Sequence, residues 1–193
     1  GSIREVLVLY FHKLNPFSTQ KNQKQKRDTL SLWGKVLIAT VPAGIIGLLF
    51  EEKINALFYN PTTVAITLIV YGVGFIVVES QKRKGRIRSF AQMSARTAAL
   101  IGVFQVLALI PGTSRSGATI LGAVMLGCTR TVAAEFSFFL AIPVMLGASG
   151  LKLIKYADLL VGPQLLTLLV GTVVAFVVSL FAIRFLMKFI QTH

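Results

Sequence analysis

The chain has 193 residues, 54% hydrophobic and 14% charged, with 20 Lys and Arg against 7 Asp and Glu for a net charge of +13. Ordinary soluble domains carry about 25% charged residues, and here the basic residues stand between long apolar runs, a pattern of membrane topology that implies no nucleic-acid partner. One cysteine, Cys128, excludes an intrachain disulfide, and with only His12 and His193 beside it there is no zinc cluster.

In chain order, Ile3 to Phe11 is apolar but too short to cross about 30 Å of hydrocarbon, so residues 1–11 read as the end of a span begun upstream. No signal-peptide pattern opens the chain. Residues 12–32 carry Lys13, Lys21, Lys24, Lys26 and Arg27 and are expected as a basic cytoplasmic loop. A transmembrane helix is expected over 33–50, with Lys35 near its start reaching the headgroups through its long stem. The net acidic Glu51, Glu52 and Lys53 then fall on the outside, and Asn60-Pro61 leads into a charge-free helix over 62–78. A second basic loop follows, with Lys82, Arg83, Lys84, Arg86 and Arg88, also cytoplasmic. Two more spans are expected over 132–151 and 164–187, the latter entered through Gly162-Pro163 and ending inside with Arg184 and Lys188. The whole of 1–193 is expected to be one membrane domain.

Residues 97–129 are apolar or small and hold a single charge, Arg115, within Pro111-Gly112-Thr113-Ser114-Arg115-Ser116-Gly117. Proline removes a backbone donor, and glycines with hydroxyl residues favour turns and caps, so a helix here should break near 111 and restart near 117. Non-helical backbone at membrane depth survives only where protein or a wet cavity receives it. A re-entrant helix, loop and helix returning to the cytoplasm fits, and it also places the later basic residues inside. The stretch Leu37-Ile38-Ala39-Thr40-Val41-Pro42 with Gly44 and Gly47 echoes Phe139-Leu140-Ala141-Ile142-Pro143 with Gly147 and Gly150, which leaves an internal repeat open.

A guanidinium stays charged at any accessible pH and is costly in hydrocarbon, so Arg115 is a functional candidate. No Asp or Glu lies between Glu79 and Glu135 to pair with it. Gly112 and Gly117 permit close backbone approach, Thr113, Ser114, Ser116 and Thr119 add hydroxyls, and the restarting helix points free N–H groups and a positive dipole at the same place. That is a phosphate-type anion site; the bland alternative is an arginine that snorkels beside serines that merely cap a helix. Glu135 is either a buried acid facing the site or a first-turn glutamate. Gln105 either hydrogen-bonds into the site or packs against a neighbouring helix.

The run Leu109-Ile110-Pro111-Gly112-Thr113-Ser114-Arg115-Ser116-Gly117-Ala118-Thr119, followed by Ala134-Glu135-Phe136-Ser137-Phe138 and Ala141-Ile142-Pro143, resembles the bacterial undecaprenyl-pyrophosphate phosphatase family associated with bacitracin resistance. The similarity runs from about residue 30 to the end. It implies an all-α integral membrane protein, a polytopic helix bundle with re-entrant helix-loop-helix segments in an inverted-repeat architecture. It also implies a place in the bacterial inner membrane with the site facing the periplasm or exterior. The implied reaction is hydrolysis of undecaprenyl diphosphate to undecaprenyl phosphate and inorganic phosphate, which recycles the lipid carrier for peptidoglycan synthesis. Carried over by position, Arg115 clamps the diphosphate with Ser114 and Ser116 as catalytic partners. Gly112, Thr113, Gly117 and Thr119 bind phosphate, and Gln105 and Glu135 stand behind them.

The family also implies a divalent cation, Mg2+ or Ca2+. Its other motif, a Glu-rich stretch followed by Pro, serines, Thr, Gly and His, has no counterpart here, so the metal ligands are expected outside this chain, which alone should be catalytically incomplete. Water and Ser114 both remain open as nucleophile, and a homodimer is open. A competing class is a lipid-phosphate flippase or transporter that uses the same anion site, since broken helices with half-helix termini toward an anion also serve secondary transport. A purely structural membrane subunit is the third reading.

Overall fold

The structure, a computed structural model, describes residues 23–81, 85–159 and 161–192. The truncated span expected over 1–11, the start of the basic loop to residue 22, and Lys82, Arg83 and Lys84 lie outside the described residues. The described chain folds into α1 (Gln23–Phe58), α2 (Pro61–Ser80), α3 (Ala95–Val106) continued by a 3-10 turn (Leu107–Leu109), α4 (Arg115–Met125), α5 (Arg130–Lys155), a second 3-10 turn (Ala157–Leu159) and α6 (Pro163–Thr192). Among the described residues there is no β-strand, only an isolated bridge between Ile87 and Cys128. Lys26–Phe58, Pro61–Val78, Arg130–Lys155 and Pro163–Ile183 are each long and apolar enough to cross a membrane. The protein is an all-α polytopic membrane protein. Outward side chains such as Ile69, Ile76, Leu166 and Phe176 are exposed, which in a bilayer is contact with acyl chains.

Helix starts follow local chemistry. Asn60 Oδ1 accepts the Thr63 N–H at 2.9 Å and Pro61 takes the first helical position, where its missing N–H removes nothing. Pro163 opens α6 in the same way behind Gly162, whose φ is 60°. Ser94 Oγ caps α3 by accepting from Thr97 N at 3.0 Å. The first long helix differs from expectation at both ends: residues 23–32 and Glu51, Glu52 and Lys53 are helical and continuous with 33–50. Gln, Lys, Arg, Glu and Leu are good helix formers, and no glycine or proline interrupts the polar extensions. Pro42 and Pro143 both lie inside helices that continue past them. Lys35 is corrected too: its Nζ donates to the Phe90 carbonyl at 2.8 Å and so is held by protein rather than by headgroups.

Residues Lys13–Leu146 form one compact unit, and in it the broken segment is a hairpin. By the helical rise, α3 with 12 residues is about 18 Å long, its 3-10 continuation of 3 residues adds about 6 Å, and α4 with 11 residues is about 16 Å, so the hairpin reaches past the middle of a bilayer core of about 30 Å. The two outer ends of the hairpin are tied together: Arg86 N and Ile87 N donate to Gly127 O at 2.8 and 2.9 Å, and Thr129 N returns to Ile87 O at 2.9 Å. The chain therefore enters and leaves the hairpin at one level. Helix α1 runs parallel to α3, with Lys35 on Phe90, Ala39 against Gly102, and Gly47 3.6 Å from Leu109 by its notional Cβ. A Cβ at Gly102 would meet the Ala39 carbonyl, so the glycine sets the spacing of the two helices.

Helix α5 leaves the tied end and packs its first half on α4 through Thr119 and Ser137, while Phe90 lies 6.5 Å from Phe136 and 5.7 Å from Phe139 between ring centres. Val36, Ala39, Met93, Ile101, Ala118, Phe136 and Leu140 make the buried core. The second compact unit, from Gly147 on, contains the end of α5, the second 3-10 turn and α6.

Candidate functional site

The break between α3 and α4 is built by Pro111. A proline disfavours helical backbone in the residue before it, and Ile110 is extended, with φ −79° and ψ 125°. The chain then turns at Gly112, whose φ of 88° suits glycine and strains other residues, and Thr113 N closes the turn on Ile110 O at 3.1 Å. Ser114, extended at φ −69° and ψ 122°, caps α4, its Oγ accepting the Gly117 N–H at 3.2 Å. The helix restarts at Arg115, earlier than the expected 117, because Ser114 satisfies a first-turn donor that would otherwise keep the chain open. The Ser114 and Ser116 hydroxyls, 3.2 Å apart, are both exposed.

One flank of this turn is α2, which no sequence motif links to it. Thr67 Oγ1 lies 3.0 Å from Pro111 O, sharing its one proton with the Thr63 and Val64 carbonyls of its own helix, and a Cβ at Gly112 would lie 2.8 Å from Val64 Cα and strike the Thr67 hydroxyl. Phe75 Cε2 is 3.3 Å from the notional Cβ of Gly117, and the Tyr71 phenol is set beside Thr113. The signal that could have found this flank is Thr63, Thr67 and Tyr71, polar groups at helical spacing in a charge-free span.

Arg115 is half-buried and forms no ion pair with any described residue, and its Nη1 is buried without a hydrogen-bond partner. Every buried side-chain polar atom that lacks a partner among the described residues belongs to Gln105, Thr113 or Arg115. Buried polar groups are nearly always paired, so the Arg115 guanidinium at the break marks a place where a ligand or water completes the bonding, whereas Gln105 sits farther down α3, where its neighbour Phe104 is level with Gly122. A guanidinium, two exposed hydroxyls and the N-terminus of a helix converge there, which is the chemistry of an oxyanion site.

Other expected members stand elsewhere. Thr119 is fully buried; its hydroxyl lies 3.0 Å from Arg115 O, 3.1 Å from Ser116 O and 2.7 Å from Ser137 Oγ. Those neighbours enclose it, so it joins α4 to α5 and is withdrawn from the ligand face. Gly112 presses on α2 rather than opening to a ligand, and the Gly117 N–H is taken by Ser114. Glu135 is half-buried near the start of α5, at the tied end of the hairpin, and does not pair with Arg115. No group of three His, Cys, Asp or Glu able to hold a metal ion occurs among the described residues.

Fold and site together define a class: a polytopic helical membrane protein with a helix-break-helix hairpin whose tip carries a half-buried guanidinium at a helix N-terminus. The family model described as Bacitracin resistance protein BacA matches residues 1–193. The chain is 57% identical to undecaprenyl-diphosphatase 1 of Clostridioides difficile, over all of this chain and 70% of that protein. It is 58% identical to an undecaprenyl-diphosphatase of Acetivibrio thermocellus, over all of this chain and 72% of the relative, and 50% identical to one of Enterococcus faecalis with the same coverage, 100% and 72%. The chain belongs to the BacA bacitracin-resistance family.

Proposed function

We propose that this protein hydrolyses undecaprenyl diphosphate to undecaprenyl phosphate and inorganic phosphate, returning the lipid carrier to peptidoglycan synthesis. The observation that carries the site assignment is the buried, unpartnered Nη1 of Arg115 at the first turn of α4. In this reading Arg115 clamps the diphosphate. The exposed Ser114 and Ser116 hydroxyls and the first-turn N–H groups receive further phosphate oxygens. Catalysis of phosphoryl transfer is mostly positioning and charge stabilisation, and a fixed guanidinium in a low-dielectric setting supplies both. The Ser114 hydroxyl has the Gly117 N–H and the Ser116 hydroxyl as its partners. Neither is a base, and in this reading Ser114 binds phosphate and water is the nucleophile.

The described residues do not fit the Mg2+ or Ca2+ that the family resemblance implies, since no three acidic, His or Cys side chains stand together, and no step is routed through a cation. The lipid substrate places the site in a membrane. Its side is supported by charge: Arg86, Arg88, Arg96 and Arg130 gather where the hairpin ends are tied, whereas the turn at Gly112 lies beside Val64, near the start of α2. Basic residues favour the cytoplasm, so the turn opens toward the exterior face of the bacterial inner membrane.

The test is phosphate release from a polyprenyl diphosphate by the intact protein in detergent. Arg115→Ala is expected to lower kcat/KM by about 100-fold or more with the melting temperature held. Unchanged release, or lipid movement across a vesicle with no phosphate released by the wild type, would overturn the reading.

A further inference from the structure

Helix α2 meets the anion turn with side chains four residues apart: Thr67 at Pro111, Tyr71 at Thr113 and Phe75 at Gly117. That spacing keeps all three on one helix face, so the half-buried Tyr71 is held between two contacts that fix α2 against the turn. Thr113 immediately precedes Ser114, the cap of α4, and Arg115 follows the cap. The Thr113 Oγ1 is buried, and although the Tyr71 phenol stands beside it, it closes no hydrogen bond with any described residue. The Thr113 proton thus lacks an acceptor two residues from the guanidinium whose Nη1 is in the same state.

Charge sorts these donors between the two halves of a diphosphate. Each hydroxyl has one proton to donate, and an ionised phosphate oxygen only accepts. In a polyprenyl diphosphate the terminal phosphate carries the larger negative charge, which suits a guanidinium at a helix N-terminus. The lipid-linked phosphate has a single ionised oxygen, for which neutral hydroxyls suffice. The tail points the same way. It must run among acyl chains, and beside Tyr71 the helix α2 exposes Ile69, Val70, Val73 and Ile76, whereas α4 is covered by α5 through Thr119 and Ser137. We propose that the Tyr71 and Thr113 hydroxyls form a subsite for the lipid-linked phosphate, next to the Arg115 subsite for the terminal one. This rests on the reading of Arg115 as the diphosphate clamp.

Hydrolysis places new charge on that lipid phosphate. The water oxygen bonds to the terminal phosphorus while the bridging P–O bond breaks, its electron pair leaving on the lipid phosphate. Both water protons end on the inorganic phosphate or pass to solvent, and the Tyr71 and Thr113 protons stay on their own oxygens. Hydrogen bonds to the departing phosphate strengthen as its charge grows, so the pair favours the transition state over the bound diphosphate.

Product inhibition of the intact protein in detergent separates the two subsites. Farnesyl monophosphate carries the lipid-linked phosphate alone, and inorganic phosphate stands for the terminal one. Tyr71→Phe keeps the ring and removes the hydroxyl. It is expected to lower kcat about tenfold and to weaken inhibition by farnesyl monophosphate about tenfold, with inhibition by inorganic phosphate held within about twofold. A tyrosine that only props the turn would weaken both inhibitors alike, and that result overturns the proposal, as does wild-type inhibition by farnesyl monophosphate. Should Tyr71→Phe not fold, Thr113→Val carries the same expectation and the same two overturning results. Arg115→Ala with wild-type turnover removes the clamp and the subsite together. An inactive Arg115→Ala beside a Tyr71→Phe that farnesyl monophosphate inhibits as it does the wild type removes the subsite alone.

Discussion

Thr67 shows how much can rest on a single hydroxyl in an apolar span. Besides the Pro111 carbonyl at 3.0 Å, it lies 2.9 Å from Thr63 O and 3.0 Å from Val64 O, so one proton is shared between its own helix and the turn ahead of Arg115. Thr67→Val keeps the shape and removes the donor. The expected cost is about 1 kcal/mol of stability, read as a lower melting temperature, with a severalfold rise in KM as the turn loosens. A wild-type KM would show that Pro111 and Gly112 hold the turn unaided. The same scale separates Thr119 from Ser114. Both belong to one motif in the sequence, but one hydroxyl is fully enclosed with Ser137 and the other is exposed. Spacing alone could not tell them apart, because the distinction is made by α5 arriving on one side of α4.

At the level of elements, the hairpin depends on close approach between helices that share no sequence neighbourhood. Gly102 faces the Ala39 backbone, and Phe104 fills the space that a side chain on Gly122 would need. Gly102→Leu drives a side chain into the α1 backbone, and backbone cannot swing aside as a flexible side chain can. The expected loss is about 1–3 kcal/mol from overpacking, seen as a fall in melting temperature and in the yield of monodisperse protein. Gly34, with open space around its notional Cβ, is the control position, where an alanine should leave the melting temperature unchanged or slightly raised. The break at Pro111 was legible because proline, glycine and capping serine act locally. The flank made by Thr67, Tyr71 and Phe75 was not, because a polar residue in an apolar helix announces a partner without saying which one.

For the molecule as a whole, the question is which face of the membrane the turn opens to. Tyr59 lies between α1 and α2, strongly exposed, and Arg88 is exposed near the tied ends of the hairpin. In intact cells a membrane-impermeant thiol reagent is expected to label Tyr59→Cys directly and Arg88→Cys only after permeabilisation. Within this chain the native Cys128 adds little background: it is 1% exposed and burial pushes its thiol up to about 11. A thiol whose pKa is raised stays protonated below it, and the thiolate is the reactive form. Labelling of Arg88→Cys from outside, with Tyr59→Cys protected, would reverse the orientation.

The amino-acid sequence by itself determined what depends on neighbours along the chain. Uninterrupted apolar length makes spans, and Pro111 through Gly117 breaks a helix around one arginine. Only the tertiary structure decided which donors and acceptors remain unpaired. Gln105 and Arg115 kept free polar atoms while Thr119 and Lys35 did not, and nothing in their local sequence separates these outcomes. Hydrogen bonds are settled by which helix packs where, and that is a property of the whole fold.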